Sequence, residues 1–243
     1  MCRILGGEQQ NVWELSSFKK TGKYHADHGM RCQDQVFYRE NYYSQAIVLA
    51  DGAGDSDANV PCVEEVAEFT AEALLRFSKG EEALCQAMML EYLMGGIVGI
   101  ISKYMDRSHL GAEMFGSTLM GAAVNHREGR YLLLHLGDGI IIGSNGQQSR
   151  VLSYPVNRKA DQTVLTISEN IPERIKVKSG DLGDLSRIVL CSDGVYDWPV
   201  NSSFTDQTVW ELLSGGRDFE EKDDDQSYIQ LRRREHVCFS GNS

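Results

Sequence analysis

The chemistry of this chain is concentrated in aspartates that stand where apolar runs stop. Ile188-Val189-Leu190-Cys191-Ser192 leads into Asp193-Gly194, Ile47-Val48-Leu49-Ala50 into Asp51-Gly52, and Leu132-Leu133-Leu134-His135-Leu136-Gly137 into Asp138-Gly139. A short apolar run bounded by turn signals reads as a buried strand, so each carboxylate is expected at a strand end. Asp-Gly is also a favoured two-residue hairpin turn, and each site is open to that reading. Asp138-Gly139 is the most turn-like, because Ile140-Ile141-Ile142 follows at once as a candidate return strand. Asp51 instead opens a run of small and acidic residues, Asp51 to Asp57, that leads into a helical pattern. Several carboxylates at strand ends, beside glycines that let backbone carbonyls approach, suit hard divalent cations, which prefer oxygen ligands.

In order, Asp51-Gly52-Ala53-Gly54, Phe115-Gly116-Ser117-Thr118-Leu119, Leu136-Gly137-Asp138-Gly139 and Ser192-Asp193-Gly194-Val195-Tyr196-Asp197 resemble the successive motifs of the metal-dependent protein phosphatases, the PPM or protein phosphatase 2C family. His25 to Asp34, ending in Cys-Gln-Asp, is similar to the bacterial variant of the first motif. Asp224-Asp225-Gln226-Ser227-Tyr228-Ile229 is similar to the closing strand, so the resemblance runs from about His25 to Leu231. It implies one phosphatase domain over residues 1–243, with an α+β fold: a four-layer α-β-β-α sandwich, two antiparallel sheets packed face to face with helices outside and the metal site at one end. It also implies hydrolysis of phosphoserine or phosphothreonine by a water activated between two Mn2+ or Mg2+ ions.

Carried over residue by residue, the resemblance has Asp51 bridge both ions, Asp193 and Asp224 complete one, and the Gly52 carbonyl serve the other. Asp34 would hold metal-bound waters, and Asp138 matches the acid that, with Asp193, binds a third ion in some bacterial members. Asp225 rivals Asp224, because the run Asp223-Asp224-Asp225 allows a one-residue slip. Asp51 and Asp193 thus carry the catalytic role, and no serine, cysteine or histidine is needed for covalent chemistry. The sequence departs from the pattern twice. Ala53 stands where many eukaryotic members have a histidine, and Gly29 stands where the phosphate-binding arginine is expected. His25, and secondarily Arg31, are the expected substitutes for holding the substrate phosphate, with His25 also a proton source. The plain alternative for His25 is that it pins its loop through a hydrogen bond.

The net charge of -11 excludes a non-specific nucleic-acid binder, which needs Lys and Arg to displace counterions. The six cysteines are scattered without a CxxC pair, which reads as reduced thiols in a cytoplasmic protein. No signal-peptide core follows Arg3, and the apolar segment Tyr92 to Ser102 falls short of the roughly 20 residues that span a bilayer, so no membrane association is expected. The expected partner is a phosphoprotein targeted by a Ser/Thr kinase. Two other classes compete. A partner-binding domain that keeps the fold without catalysis should have lost an acid of the motif set, and all are present. A two-metal nuclease would need a basic groove, which the acidic balance opposes.

The elements that must position these residues follow from periodicity. Strands are expected at Val12 to Lys19, Gln35 to Arg39, Ser44 to Ala50, Tyr131 to Leu136 paired in a hairpin with Ile140 to Gly143, Arg150 to Tyr154, Gln162 to Ile167, Arg174 to Val177 and Ser227 to Arg232. From Pro61 the period changes to 3.6, with Val63, Ala67, Thr70, Ala71 and Leu74 on one side and Glu64, Glu68, Glu72 and Arg76 on the other. A second helix is expected over Glu81 to Asp106, with Met88, Met89, Met94 and Met105 as core filler, and a third near Val209 to Leu213.

Overall fold

Each apolar run becomes a strand in one of two antiparallel sheets. The computed structural model describes residues 13–53, 56–78, 82–155, 163–195 and 222–234. The first sheet takes β1 (Trp13–Lys20), β10 (Gln226–Arg233), β9 (Arg187–Cys191), β6 (Ile140–Ser144) and β7 (Ser149–Ser153), in that order across it. The second takes β2 (Gln35–Glu40), β3 (Ser44–Ala50), β4 (Leu119–Asn125), β5 (Arg130–Leu136) and β8 (Lys176–Asp181). Side chains alternate faces along a strand, and the second sheet uses both. Ile47, Leu49, Met120, Val124 and Leu133 meet Ile141, Ile188, Leu190, Ile229 and Leu231 of the first sheet. Ala46, Val48, Ala50, Ala123, Leu132 and Leu134 pack the other way, with the helices. This explains why β3 is buried at every position, and why its sequence is a continuous apolar run rather than an alternating one.

The helix α2 (Val60–Phe77) has its proline in the first turn and buries Val63, Val66, Ala67, Thr70, Ala71 and Leu74. Behind it lies α3 (Glu82–Ser108), which buries Met89, Leu93, Ile97, Ile100 and Ile101. Met88 is 54% exposed, so it is not core filler. The helical period fits both sides of α3, and only the position of α2 decides which side is buried. The segment Lys23–Asp27 is a short helix, α1. Residues 163–165 are irregular and 166–167 enter a turn, so no strand forms there. The helix expected at 209–213 lies outside the described residues. No helix among the described residues is long and apolar enough to cross a membrane.

The expected β5–β6 hairpin does not form. β5 pairs with β4 and β8, while β6 pairs with β7 and β9 in the other sheet, so Asp138-Gly139 belongs to a crossing between sheets. Gly137, at φ 112°, makes the change of direction that a side chain would oppose.

His135 helps to tie the sheets together beside this crossing. It is fully buried on β5, and its Nδ1 shares a 2.7 Å hydrogen bond with Ser153 Oγ of β7. Burial, with Lys176 nearby, pushes its pKa down to about 3. The unfolded imidazole titrates near 6.5. Its contribution to stability is therefore complete above that pH and is lost as pH falls toward 3. We expect His135→Gln to abolish about 2 kcal/mol of the stability lost between pH 7 and pH 5. Urea unfolding of both proteins in chelator at the two pH values would show this as a smaller pH difference for the variant.

Candidate metal centre

The strand ends carry the aspartates to one end of the sandwich. Asp51 follows β3 of the second sheet, Asp193 follows Ser192 at the end of β9 of the first, and Asp138 lies on the crossing between them. One carboxylate oxygen from each lies within 4.8 Å of the others. They open on a cleft of about 640 Å³, which Gly52, Ala53 and Asp224 also line. The opposite wall is α1, with Lys23, Tyr24, His25 and His28 facing the cleft.

Hydrogen bonds from neighbouring turns hold each acid in place. Asp51 donates its N–H to Thr118 Oγ1 at 3.1 Å, and Thr118 N–H returns to the Asp51 carbonyl at 2.8 Å. Asn59 does not cap α2 with its side chain. Its Nδ2 instead donates to the Gly116 carbonyl at 3.0 Å, while Ala53 N–H donates to the same oxygen. The Gly-Ser-Thr motif is thus a brace for the Asp51 loop. On the other sheet, Ser192 N–H donates to the Ser227 carbonyl and Ser227 N–H to Ser192 Oγ, both at 3.0 Å, which fixes the start of β10 beside Asp193. Thr163 Oγ1 donates to Asp138 Oδ2.

The local electrostatics are unfavourable to isolated charges. Burial first, and then the charges of Asp34, Asp193, Asp224 and Asp138, hold the Asp51 carboxyl well above the usual carboxylate range. Burial and the charges of Asp138, Asp224 and Asp34 raise Asp193 to about 7. Asp34 is fully buried behind Asp51 rather than lining the cleft, and burial raises it to about 6. Both Asp34 oxygens and Asp193 Oδ1 are buried without a hydrogen-bond partner among the described residues. Buried acceptors of this kind suit a bound cation or an ordered water.

The geometry separates the two rival acids of the closing motif. Asp224 lines the cleft. Asp225 is 2% exposed and accepts the N–H groups of Gly22 and Gln33 at 2.7 and 2.6 Å. His25 lines the cleft, and its Nδ1 lies 3.0 Å from Asp225 Oδ2 without hydrogen-bond geometry. Arg31 is not brought to the cleft. Its side chain is 61% exposed and paired with Asp57. Lys23 and His28 are the cleft-wall groups that the sequence reading missed. Lys23 opens α1, which is too short to show a period, and His28 caps its end inside the first motif, where only His25 and Arg31 were singled out.

Two face-to-face antiparallel sheets thus bring an acidic cleft to their strand ends. The family model described as Protein phosphatase 2C matches residues 21–228, and the chain belongs to that family. Among solved structures, the S. agalactiae serine/threonine phosphatase superposes with TM-score 0.62 at 14% identity, covering 91% of this chain and 100% of that one. Serine/threonine phosphatase Stp1 from Staphylococcus aureus gives 0.58 at 17% identity, covering 95% and 100%. RsbX in complex with magnesium gives 0.52 at 11% identity, covering 93% and 98%. No curated protein matches the chain significantly.

The Thr118 brace can be tested directly. Thr118 is 3% exposed, so Thr118→Val keeps the shape but leaves the Asp51 N–H unpaired. We expect a loss of about 1–3 kcal/mol in denaturant unfolding, with Thr118→Ser close to wild type.

Proposed function

We propose that this phosphatase hydrolyses phosphoserine and phosphothreonine in proteins, with Mn2+ or Mg2+ held by Asp51, Gly52, Asp193 and Asp224. The observation that carries the reading is the convergence of Asp51, Asp138 and Asp193 oxygens within 4.8 Å at the floor of an open cleft. The donor set is all oxygen, as hard divalent ions require. The partnerless buried oxygens of Asp34 and Asp193 fit the same ions. Magnesium in the RsbX structure supports the choice of metal class.

Asp51, whose carboxyl feels the charges of Asp34, Asp138, Asp193 and Asp224, would contact both ions, Asp193 and Asp224 would help to hold one, and the Gly52 carbonyl would serve the other. The buried Asp34 would orient metal-bound water, and Asp138 with Asp193 would offer a third cation position. When bound, the ions polarise a water and the phosphoryl oxygens for in-line attack on phosphorus. On the opposite wall, Lys23, His25 and His28 moderate the repulsion between a phosphate and the acids. His25 Nδ1 lies 3.0 Å from Asp225 Oδ2, and the ring lines the cleft where a substrate phosphate would sit. Arg31, committed to Asp57, has no part in this arrangement. Cys32, Cys62 and Cys191 are buried free thiols, which supports a reducing, cytoplasmic setting where Ser/Thr kinases supply the substrate.

Hydrolysis of a phosphoserine or phosphothreonine peptide should be absent in excess chelator and return with Mn2+ or Mg2+, and a phosphotyrosine peptide should be a poor substrate. Full turnover in chelator would contradict the reading. Asp193→Asn, which keeps size but removes a ligand charge, should lower kcat by orders of magnitude while the circular dichroism spectrum is unchanged.

A further inference from the structure

Asp225 lies at the junction of three segments that border the cleft, and its side chain is nearly inaccessible. Oδ1 accepts the N–H of Gly22, the residue before α1. Oδ2 accepts the N–H of Gln33, the residue before Asp34, and lies 3.0 Å from His25 Nδ1. Asp225 in turn donates its own N–H to Asp224 Oδ1 at 2.9 Å. Asp225 therefore connects the start of α1 and the residue before the buried Asp34 through its carboxylate, and the cleft-lining Asp224 through its own N–H. Charge-assisted hydrogen bonds of this kind are the strong ones.

A backbone seam runs beside these contacts. Lys23 N–H donates to the Lys222 carbonyl at 2.8 Å and Tyr24 N–H to the Asp223 carbonyl at 3.1 Å. The seam closes only because Gly22 has no side chain. A Cβ on Gly22 would lie 2.4 Å from the Asp224 carbonyl carbon and 2.5 Å from the Asp223 oxygen. Gly22 has an ordinary extended backbone, φ -66° and ψ 155°, so close approach and not conformation accounts for the glycine.

We infer that Asp225 is a positioning residue and not a metal ligand, and that, together with Gly22, it sets the place and orientation of Asp224 in the metal centre. The inference rests on the proposed metal centre. The rotamer of Asp224 is held by the Asp225 N–H, and the backbone carrying both acids is held by the seam to Gly22 and α1. Asn at 225 would keep the size, but its amide would turn a donor toward a backbone N–H donor, leaving one unpaired.

The test is calorimetric titration of Mn2+ into Asp225→Asn, Gly22→Ala and Asp224→Asn proteins, read per folded molecule with far-ultraviolet circular dichroism as the check. Asp225→Asn is expected to bind the same number of ions as wild type at least tenfold more weakly, about 1.4 kcal/mol. Asp224→Asn should instead bind fewer ions. Removing a buried negative charge weakens cation binding by itself, and Gly22→Ala separates the causes because it moves the Asp223-Asp224 backbone without changing any charge. It too should weaken Mn2+ binding at least tenfold. Wild-type affinity in Asp225→Asn, or in Gly22→Ala, would overturn the positioning role. A lost ion in Asp225→Asn would make Asp225 itself a ligand and overturn it as well. An Asp224→Asn protein with wild-type stoichiometry and affinity would instead overturn the metal centre on which the inference stands.

Discussion

Mutual repulsion among buried and half-buried carboxylates is the constraint on which the rest of this structure depends. The charges of Asp34, Asp138 and Asp224 act on Asp51 and Asp193, and burial takes away much of the water that would screen them. Without cations, the cluster relieves itself by holding protons, as the upward shifts of Asp34, Asp51, Asp193 and Asp224 record. Divalent ions held at the proposed centre would replace those protons with greater charge, and their binding would offset the cost of bringing the acids together.

Two packed sheets suit this task because each delivers acids from rigid strand ends. β3 and β9 are buried along nearly their whole length, so the chain leaves each strand from a fixed position. Small polar side chains then adjust the last residues: Thr118 and Asn59 around Asp51, Ser192 and Ser227 around Asp193, and Asp225 around Asp224. These groups need not touch substrate. They fix the angles at which the acids meet, which a metal centre requires of the residues behind its ligands. The helices α2 and α3 cover the second sheet and bury its far face, so little movement of β3 is available to spread the cluster.

Much of this was legible in the sequence because an apolar run ending in Asp-Gly is a strong local signal. The strand ends at Asp51 and Asp193 followed from it, as did α2 from its 3.6 period and α3 from its long apolar stretch. The hairpin at Asp138 failed because Asp-Gly is the same two residues in a turn and in a crossing. What decides between them is the partner of β6, and Ile140 pairs with Cys191, a residue far along the chain. The choice between Asp224 and Asp225 was closed to sequence reasoning for a similar reason. Both are acids, and the donors that claim Asp225 come from Gly22 and Gln33 at the other end of the chain. Arg31 looked available beside the first motif, but Asp57, distant in sequence, pairs with it. The five residues of α1 are too few to show a period, so the cleft wall they form had no pattern to be found by.

The account depends most directly on where divalent ions sit. Crystals grown with Mn2+ and measured near the manganese absorption edge would locate them by anomalous scattering. The account predicts two strong peaks, both in contact with Asp51, one of them also with Asp193 and Asp224 and the other with the Gly52 carbonyl. A cleft in which the Asp51 and Asp193 carboxyl groups hydrogen-bond to each other, with no anomalous peak touching either, would contradict it.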